Sequence, residues 1–356
     1  GAIKLGPDSA GYRVGMCWPE SGLDTVSVTD CHVILGYLNT DNFLGGAIKL
    51  DVERARRCMK EQIADPLGLS VEDAASGVIE LLDLQLREYT RSIISAKGYN
   101  PADFVCFSYG GAGPVHTYGY TEGLGFEDVV VPAWAAGFSA FGCACAEYEY
   151  RYDKSVDVAV PPTAGDDVKI AAGKTLTEAW AELAEKVIEE FIINGFKRED
   201  VLLRPGYSMQ YLGQLNDLEI DSPISAAATV ADWEKLVEAF DQTYARVYAT
   251  SASSPELGFG VTSAIMRGSV VSKKPELPEE PLVGETPPQE ALLGKRAFYR
   301  RKQWEQADVW SMEKLQAGNH IVGPAVIESD STTFVVPKGF ETRLDTHRLF
   351  HLKEIK

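Results

Sequence analysis

The chain has 356 residues and a formal net charge of −18. That acidity argues against nucleic-acid and anionic-membrane partners, because phosphate attraction needs clustered Lys and Arg. The length suits two or three domains of roughly 100–200 residues each, with enough core to need no disulfide staple.

The six cysteines are Cys17, Cys31, Cys58, Cys106, Cys143 and Cys145. No C-x-x-C pair and no Cys/His array occurs, so free thiols in a reducing, cytoplasmic setting are expected. No apolar run reaches the ~18 residues of a membrane span, and no signal peptide is visible. The first residue is Gly rather than Met, and the opening text reads like the middle of a longer protein.

In chain order, Gly6–Gly11 is rich in turn residues and Thr25–Val28 reads as a strand leading to Thr29-Asp30. Asp51 is placed to cap a helix over 51–64. Ser70 and Asp73 form a capping box for a helix over 70–97, with Val78, Leu81, Leu82, Leu86, Tyr89 and Ile93 at three and four spacing. Phe104–Phe107 is a short apolar run. Gly110, Gly111 and Gly113 follow, and Pro114 suits a helix start. Strand, glycine turn and helix start together point bare N–H groups at one spot, which fits an anion, a nucleotide or a ligand-free tight turn. The text is neither G-x-G-x-x-G nor a P-loop.

A strand over 128–131, a small-residue helix over 135–147 and a strand over 150–160 come next. Helices over 167–194 and 230–250 flank strand pairs within 201–221, and 261–271 is strand-like. Residues 273–294 are rich in Pro and Glu and suit a linker or surface segment. Short β runs then fill 295–356. The expected class is α/β in the first half, then an α+β region with a β-rich C-terminal tail. The expected parts are 1–160, 161–272, a 273–294 linker, and 295–356 packed on the 161–272 domain.

Asp30 is a candidate for holding Mg²⁺ through water or orienting a nucleophile, and equally for capping a helix over 31–37. His32 and His116 are candidate general acids or bases, or hydrogen-bonded structural residues. His347 and His351 fall on one strand face. Cys143 and Cys145 fit a packed, buried helix. Trp18, Trp134 and Tyr109 flank glycine turns and could stack on a planar ligand.

An ordered set of motifs carries a resemblance. It runs Gly6-Pro7-Asp8-Ser9-Ala10-Gly11, Val28-Thr29-Asp30, Leu35-Gly36-Tyr37-Leu38 and Asn42-Phe43-Leu44-Gly45-Gly46. It continues with Tyr109 to His116, Ser139-Ala140-Phe141-Gly142, Gln210-Tyr211-Leu212-Gly213-Gln214 and Gly323-Pro324-Ala325-Val326-Ile327-Glu328. The chain resembles the hydantoinase A/oxoprolinase family over nearly its whole length. Gly15-Met16-Cys17-Trp18 departs from the Pro-Gly-Pro-Ala-Cys-Tyr text of the hydantoinases and looks like the ketone carboxylases of that family.

The resemblance implies the C-terminal half of an actin-like (acetate kinase/Hsp70/actin) ATPase fold. ATP and Mg²⁺ would be shared with an upstream N-terminal half. Tyr109, Gly110, Gly111, Ala112, Gly113 and Pro114 would form the adenosine-side loop, and Asp30 and His116 are the candidate catalytic groups. The implied reaction joins a small ketone such as acetone to bicarbonate with ATP, giving acetoacetate. Mn²⁺ is expected in a partner subunit of a hetero-oligomer, and no metal site is expected here. The alternatives are an ATP-dependent hydantoinase or 5-oxoprolinase-type hydrolase, and a non-catalytic structural subunit.

Overall fold

The computed structural model describes residues 2–355. Along the chain run helices α1 (Val28–Ile34), α2 (Val52–Met59), α3 (Asp65–Leu67) and α4 (Val71–Ala96). Strand β1 (Val105–Phe107), helix α5 (Gly113–Thr121), strand β2 (Asp128–Pro132) and helix α6 (Phe138–Cys145) follow. Next come β3 (Tyr148–Val160), α7 (Asp166–Ile193), β4 (Val201–Tyr211), β5 (Leu218–Asp221), α8 (Val230–Tyr248) and β6 (Phe259–Val270). The last part is built of strands β7 (Leu292–Arg300), β8 (Gln303–Ser311), β9 (His320–Val322), β10 (Ala325–Glu328), β11 (Thr333–Val336), β12 (Phe340–Leu344) and β13 (Leu349–Glu354). No helix among the described residues is long and apolar enough to cross a membrane.

The described residues form a mixed α/β fold with three sheets, divided between two units. The first unit comprises Gly1–Ile94, Asn100–Gly142 and Glu276–Lys356. Its five-stranded sheet has the order β1-β2-β13-β12-β9, and its four-stranded sheet the order β11-β10-β8-β7. β1 and β2 are parallel, with α5 as the crossover between them, and β13 lies antiparallel on the other edge of β2. The tail is therefore part of the first unit and not of the unit that holds residues 161–272, with which it was expected to pack. The physical reason is β2's second edge, whose backbone groups pair with β13 while Phe350 joins Val131 in one buried cluster. Fully buried Phe298, Phe334 and Phe350 anchor that core, each contributing roughly 1.5–3 kcal/mol of burial.

The second unit comprises Ser95–Tyr99 and Cys143–Pro275. Its antiparallel sheet has the order β3-β6-β4-β5. Trp180 on α7 and Phe240 on α8 share its core with Tyr207 and Tyr211 of β4. Trp180 Nε1 donates to Gly206 O at 2.7 Å, so the buried indole keeps a partner.

Several local expectations change. Residues 25–28 are not a strand: Ser27 caps α1, and its capping box with Asp30 starts the helix at Val28. In α4, Val78 is buried but Leu86, Tyr89 and Ile93 are exposed. Cys143 on α6 is exposed, because the helix turns Phe138, rather than its cysteines, toward Phe107 and Tyr109. All six cysteines are free. His347 precedes β13 and its Nδ1 faces Pro278 O, whereas His351 lies between Asp128 and Asp345, so the two do not share a strand face. Residues 276–288 form neither helix nor strand and are tied down by Glu280 N to Thr346 O and Val283 N to Ala317 O.

Candidate functional site

β1 delivers the chain to the glycine turn. Ser108 N donates to Val130 O at 2.8 Å, which holds the turn's entry against β2. Gly110 then takes φ +90, a conformation that side-chain-bearing residues avoid, and donates its N–H to Ala135 O at 2.7 Å. Ala112 is the N-cap of α5 and offers no side-chain oxygen to the first helical turn. On the far side, Thr332 Oγ1 donates to Gly111 O at 3.0 Å and fastens the β10–β11 turn to the glycine turn.

Between these two turns and α1 lies a cavity of about 310 Å³. Its wall includes Gly111, Ala112, His32, Asn39, Glu328 and Asp330. Glu328 is buried at the end of β10, where Asn39 Nδ2 donates to Oε1 at 3.0 Å and Arg296 to Oε2 at 2.8 Å. Asn42 Nδ2 donates to Asp330 Oδ1 at 3.1 Å. Carboxylates, amides and backbone of a glycine turn thus face one recess, much of whose remaining wall is apolar, with Leu38, Phe43 and Val115. Such a recess recognises a polar ligand through hydrogen bonds, and bare first-turn N–H groups favour a phosphate-bearing one.

Of the candidate binding residues, Gly111 and Ala112 line the cavity, whereas Tyr109, Gly110, Gly113 and Pro114 shape the turn behind it. Tyr109 instead packs on Phe138, and neither Trp18 nor Trp134 is in the wall. Tyr12 and Phe43 are the aromatic groups there.

Asp30 is fully buried and does not line the recess. Its Oδ1 accepts from Cys17 N at 2.6 Å, and its Oδ2 from Met16 N at 3.0 Å, Ser27 N at 2.8 Å and Ser27 Oγ at 3.0 Å. This geometry gives the expected catalytic role no support, because the carboxylate is consumed in folding residues 15–18 around the start of α1. Nor is it the N-cap; it is the third helical residue of the capping box. Gly15 is required by the close approach, since a Cβ there would lie 2.6 Å from Ser27 Oγ and 2.8 Å from Asp30 Oδ1. Burial, then the nearby Asp30 charge, pushes the Cys17 and Cys31 thiols well above their usual range.

His116 is also buried, on α5, with Nδ1 2.7 Å from Asp83 Oδ1 of α4. Gly119 permits this pairing, because a Cβ there would overlap Asp83 Oδ2. Burial raises the Asp83 pKa, against the lowering effect of His116. His116 is not in the cavity wall; the imidazole that reaches it is His32, whose ring centroid is 4.7 Å from that of His116. His32 Nε2 is buried without a hydrogen-bond partner. Burial, then the His116 charge, holds the His32 pKa well below its ordinary value, so this ring is neutral near pH 7.

Sequence reasoning passed over Glu328, Asp330, Asn39, Asn42 and Asp83. Glu328 had a signal: a carboxylate ending the apolar run Ala325-Val326-Ile327, at the close of a quoted motif. Asp83 had none, since one acid within an amphipathic helix reads as surface charge.

Comparison with known proteins places these motifs. The chain matches the hydantoinase/oxoprolinase family model over residues 1–152 and the hydantoinase/oxoprolinase C-terminal domain model over 163–355. It is 67% identical to the acetone carboxylase beta subunit of Xanthobacter autotrophicus, over 99% of this chain and 49% of that protein. It is 32% identical to the acetophenone carboxylase gamma subunit of Aromatoleum aromaticum, over 99% of this chain and 48% of that protein. A nucleotide-free acetone carboxylase structure matches with a TM-score of 0.75 at 67% identity, covering 99% of this chain and 50% of that one. The ATP-dependent caprolactamase of Pseudomonas jessenii matches with a TM-score of 0.82 at 26% identity, covering 98% of this chain and 49% of that one. The chain spans about half the length of these relatives. With both family models matched in order, the chain belongs to the hydantoinase/oxoprolinase family.

Proposed function

We propose that this chain forms the C-terminal part of the ATP-dependent subunit of a ketone carboxylase, with the recess beside the glycine turn facing the nucleotide. The observation that carries this reading is 67% identity to an acetone carboxylase beta subunit across 99% of the chain. In this reading the first unit supplies the second lobe of an actin-like nucleotide domain. An N-terminal half brings the phosphate-binding hairpin, and the other carboxylase subunits complete a hetero-oligomer.

The chemistry follows from poor reactants. Neither a ketone methyl group nor bicarbonate reacts unaided. Phosphorylation by ATP turns the ketone into an enol phosphate and bicarbonate into carboxyphosphate; carboxyphosphate then breaks into CO₂ and phosphate, cleavage of the enol phosphate by water frees the enolate and a second phosphate, and the enolate carbon attacks CO₂ to give acetoacetate from acetone. The roles of this chain are to bind and orient. Gly111 admits the ligand close to the backbone, His32 offers an uncharged imidazole, and Glu328, fixed by Arg296 and Asn39, holds the opposite wall. Among the described residues no group of three His, Cys, Asp or Glu is arranged to hold a metal ion. Asp330 fits one carboxylate contact to a Mg²⁺ carried mainly by phosphates and the N-terminal half. Mn²⁺ belongs in this reading to a partner subunit.

A second reading, ATP-dependent opening of a cyclic amide, is favoured by the structural match to caprolactamase. The two separate by product in the intact complex, supplied with ATP and either acetone plus labelled bicarbonate or a hydantoin. Label in acetoacetate with ATP consumption supports the carboxylase. ATP consumption with the hydantoin alone refutes it.

A further inference from the structure

A second cavity of about 360 Å³ lies elsewhere in the first unit, lined by α4, α5 and the β7–β8 hairpin. Arg87, Arg300 and Arg301 all line it. Arg301 and Lys302 make the two-residue hairpin turn, with φ +48 and +64. The turn thus sets where Arg300 and Arg301 present their guanidinium groups.

The acids along this wall already have partners. Asp83 takes His116 Nδ1, Glu80 accepts from Ser76 Oγ, and Glu122 is shared between Arg87 and Arg301. Arg300 is the exception. It is 6% exposed, and its Cζ lies 4.7 Å above the Tyr118 ring. Among the described residues no carboxylate pairs with it. Arg87 Nε is buried without a partner in the same wall. A guanidinium taken out of water needs an acceptor, and its fork geometry matches carboxylate and phosphate oxygens.

We propose that this second cavity is an oxyanion site, in which Arg300, with Arg87 beside it, receives a carboxylate or phosphate group. It is separate from the glycine-turn recess and does not depend on the carboxylase reading. The oxyanion has two possible sources: a small free anion, or an acidic side chain from a segment outside this chain.

The test uses the complete subunit in its complex, titrated with inorganic phosphate and with acetate against chloride at matched ionic strength. Binding is read by calorimetry and thermal shift. With a free anion, wild type binds one of the probes. Arg300→Met then loses at least about tenfold in affinity, Arg300→Lys loses less, and Arg198→Met, at an exposed ion pair in the second unit, changes nothing. With an acidic side chain, the structure of the complex shows a carboxylate within hydrogen-bond distance of Arg300, and added anions do not bind. If Arg300→Met fails to fold, Arg87→Met takes its place. Equal phosphate binding by wild type and the variant overturns the proposal. So does a complex in which Arg300 meets neither an added anion nor an acidic side chain.

Discussion

Gly111→Val separates a folding role from a binding role at the glycine turn. A Cβ built on Gly111 meets nothing closer than Ser331 O at 3.5 Å, an ordinary van der Waals distance, and its φ is not in the left-handed region. The fold should therefore accept the side chain. Its methyl groups would stand in the wall of the 310 Å³ recess, where Gly111 meets the turn carrying Ser331. A ligand seated against that backbone must move or lose contact, an overpacking penalty of about 1–3 kcal/mol. That converts to a rise of roughly 5- to 150-fold in the nucleotide Kd. The assay is nucleotide binding and ATP turnover in the intact complex, alongside thermal denaturation and subunit association. Loss of both nucleotide functions with melting and assembly unchanged is the expected result, and it also removes the reading as a purely structural subunit. Unchanged Kd and turnover would refute the placement of the nucleotide beside Gly111. Gly110→Ala is the contrasting control: at φ +90 it should cost about 1–3 kcal/mol of stability through backbone strain.

Three further outcomes follow from the buried polar groups. His32 is held neutral in the folded chain, so the unfolded chain takes up a proton first as pH falls below about 6.5. The His32 contribution is therefore fully present above that pH and is lost in more acid solution, and His32→Phe should flatten the slope of melting temperature against pH between 5 and 7. Gly119→Ala forces a methyl group into Asp83, which should cost roughly 1–3 kcal/mol, visible as a melting point lowered by several degrees. Glu328→Leu leaves Arg296 and Asn39 without their buried acceptor, a loss of about 3–5 kcal/mol that urea denaturation would register. A second change, Arg296→Met, should recover part of that loss if the unpaired cation is its cause.

Much of the second unit was legible in the sequence, because its helices and strands are long and carry their own periodicity. α7 and α8 are close to where the apolar spacing put them, and Thr229 with Asp232 forms a capping box for α8. The glycine turn was legible for a different reason: three glycines beside a proline have few other uses. Asp30 stayed open because its chemistry is ambiguous by residue type. A carboxylate after a β-branched pair can cap, ligate or catalyse, and only the four N–H and O–H groups around it distinguish these. His116 stayed open between acid–base and structural roles, since it follows the turn in sequence while the helix carries its ring to Asp83. His32, one turn into α1, reaches the recess instead.

The β-rich tail was the largest misplacement, and it changes what the recess is. Short strands of three to six residues carry little periodicity, so nothing in 320–354 says which edge they will extend. Once β13 pairs with β2, β10 and β11 are carried to α5, and the turn between them closes over Gly111. The hydrogen bond from Thr332 to Gly111 O joins residues 221 positions apart. Glu328 and Asp330 enter the site by the same route. The acids that face the recess therefore come from the end of the chain, whereas the acid nearest the glycine text in the sequence motifs, Asp30, is spent on local folding. A site assembled this way depends on the tail's pairing with β2, so disturbing Phe350 or Leu352 in the shared core would unseat one wall while leaving the glycine turn itself intact.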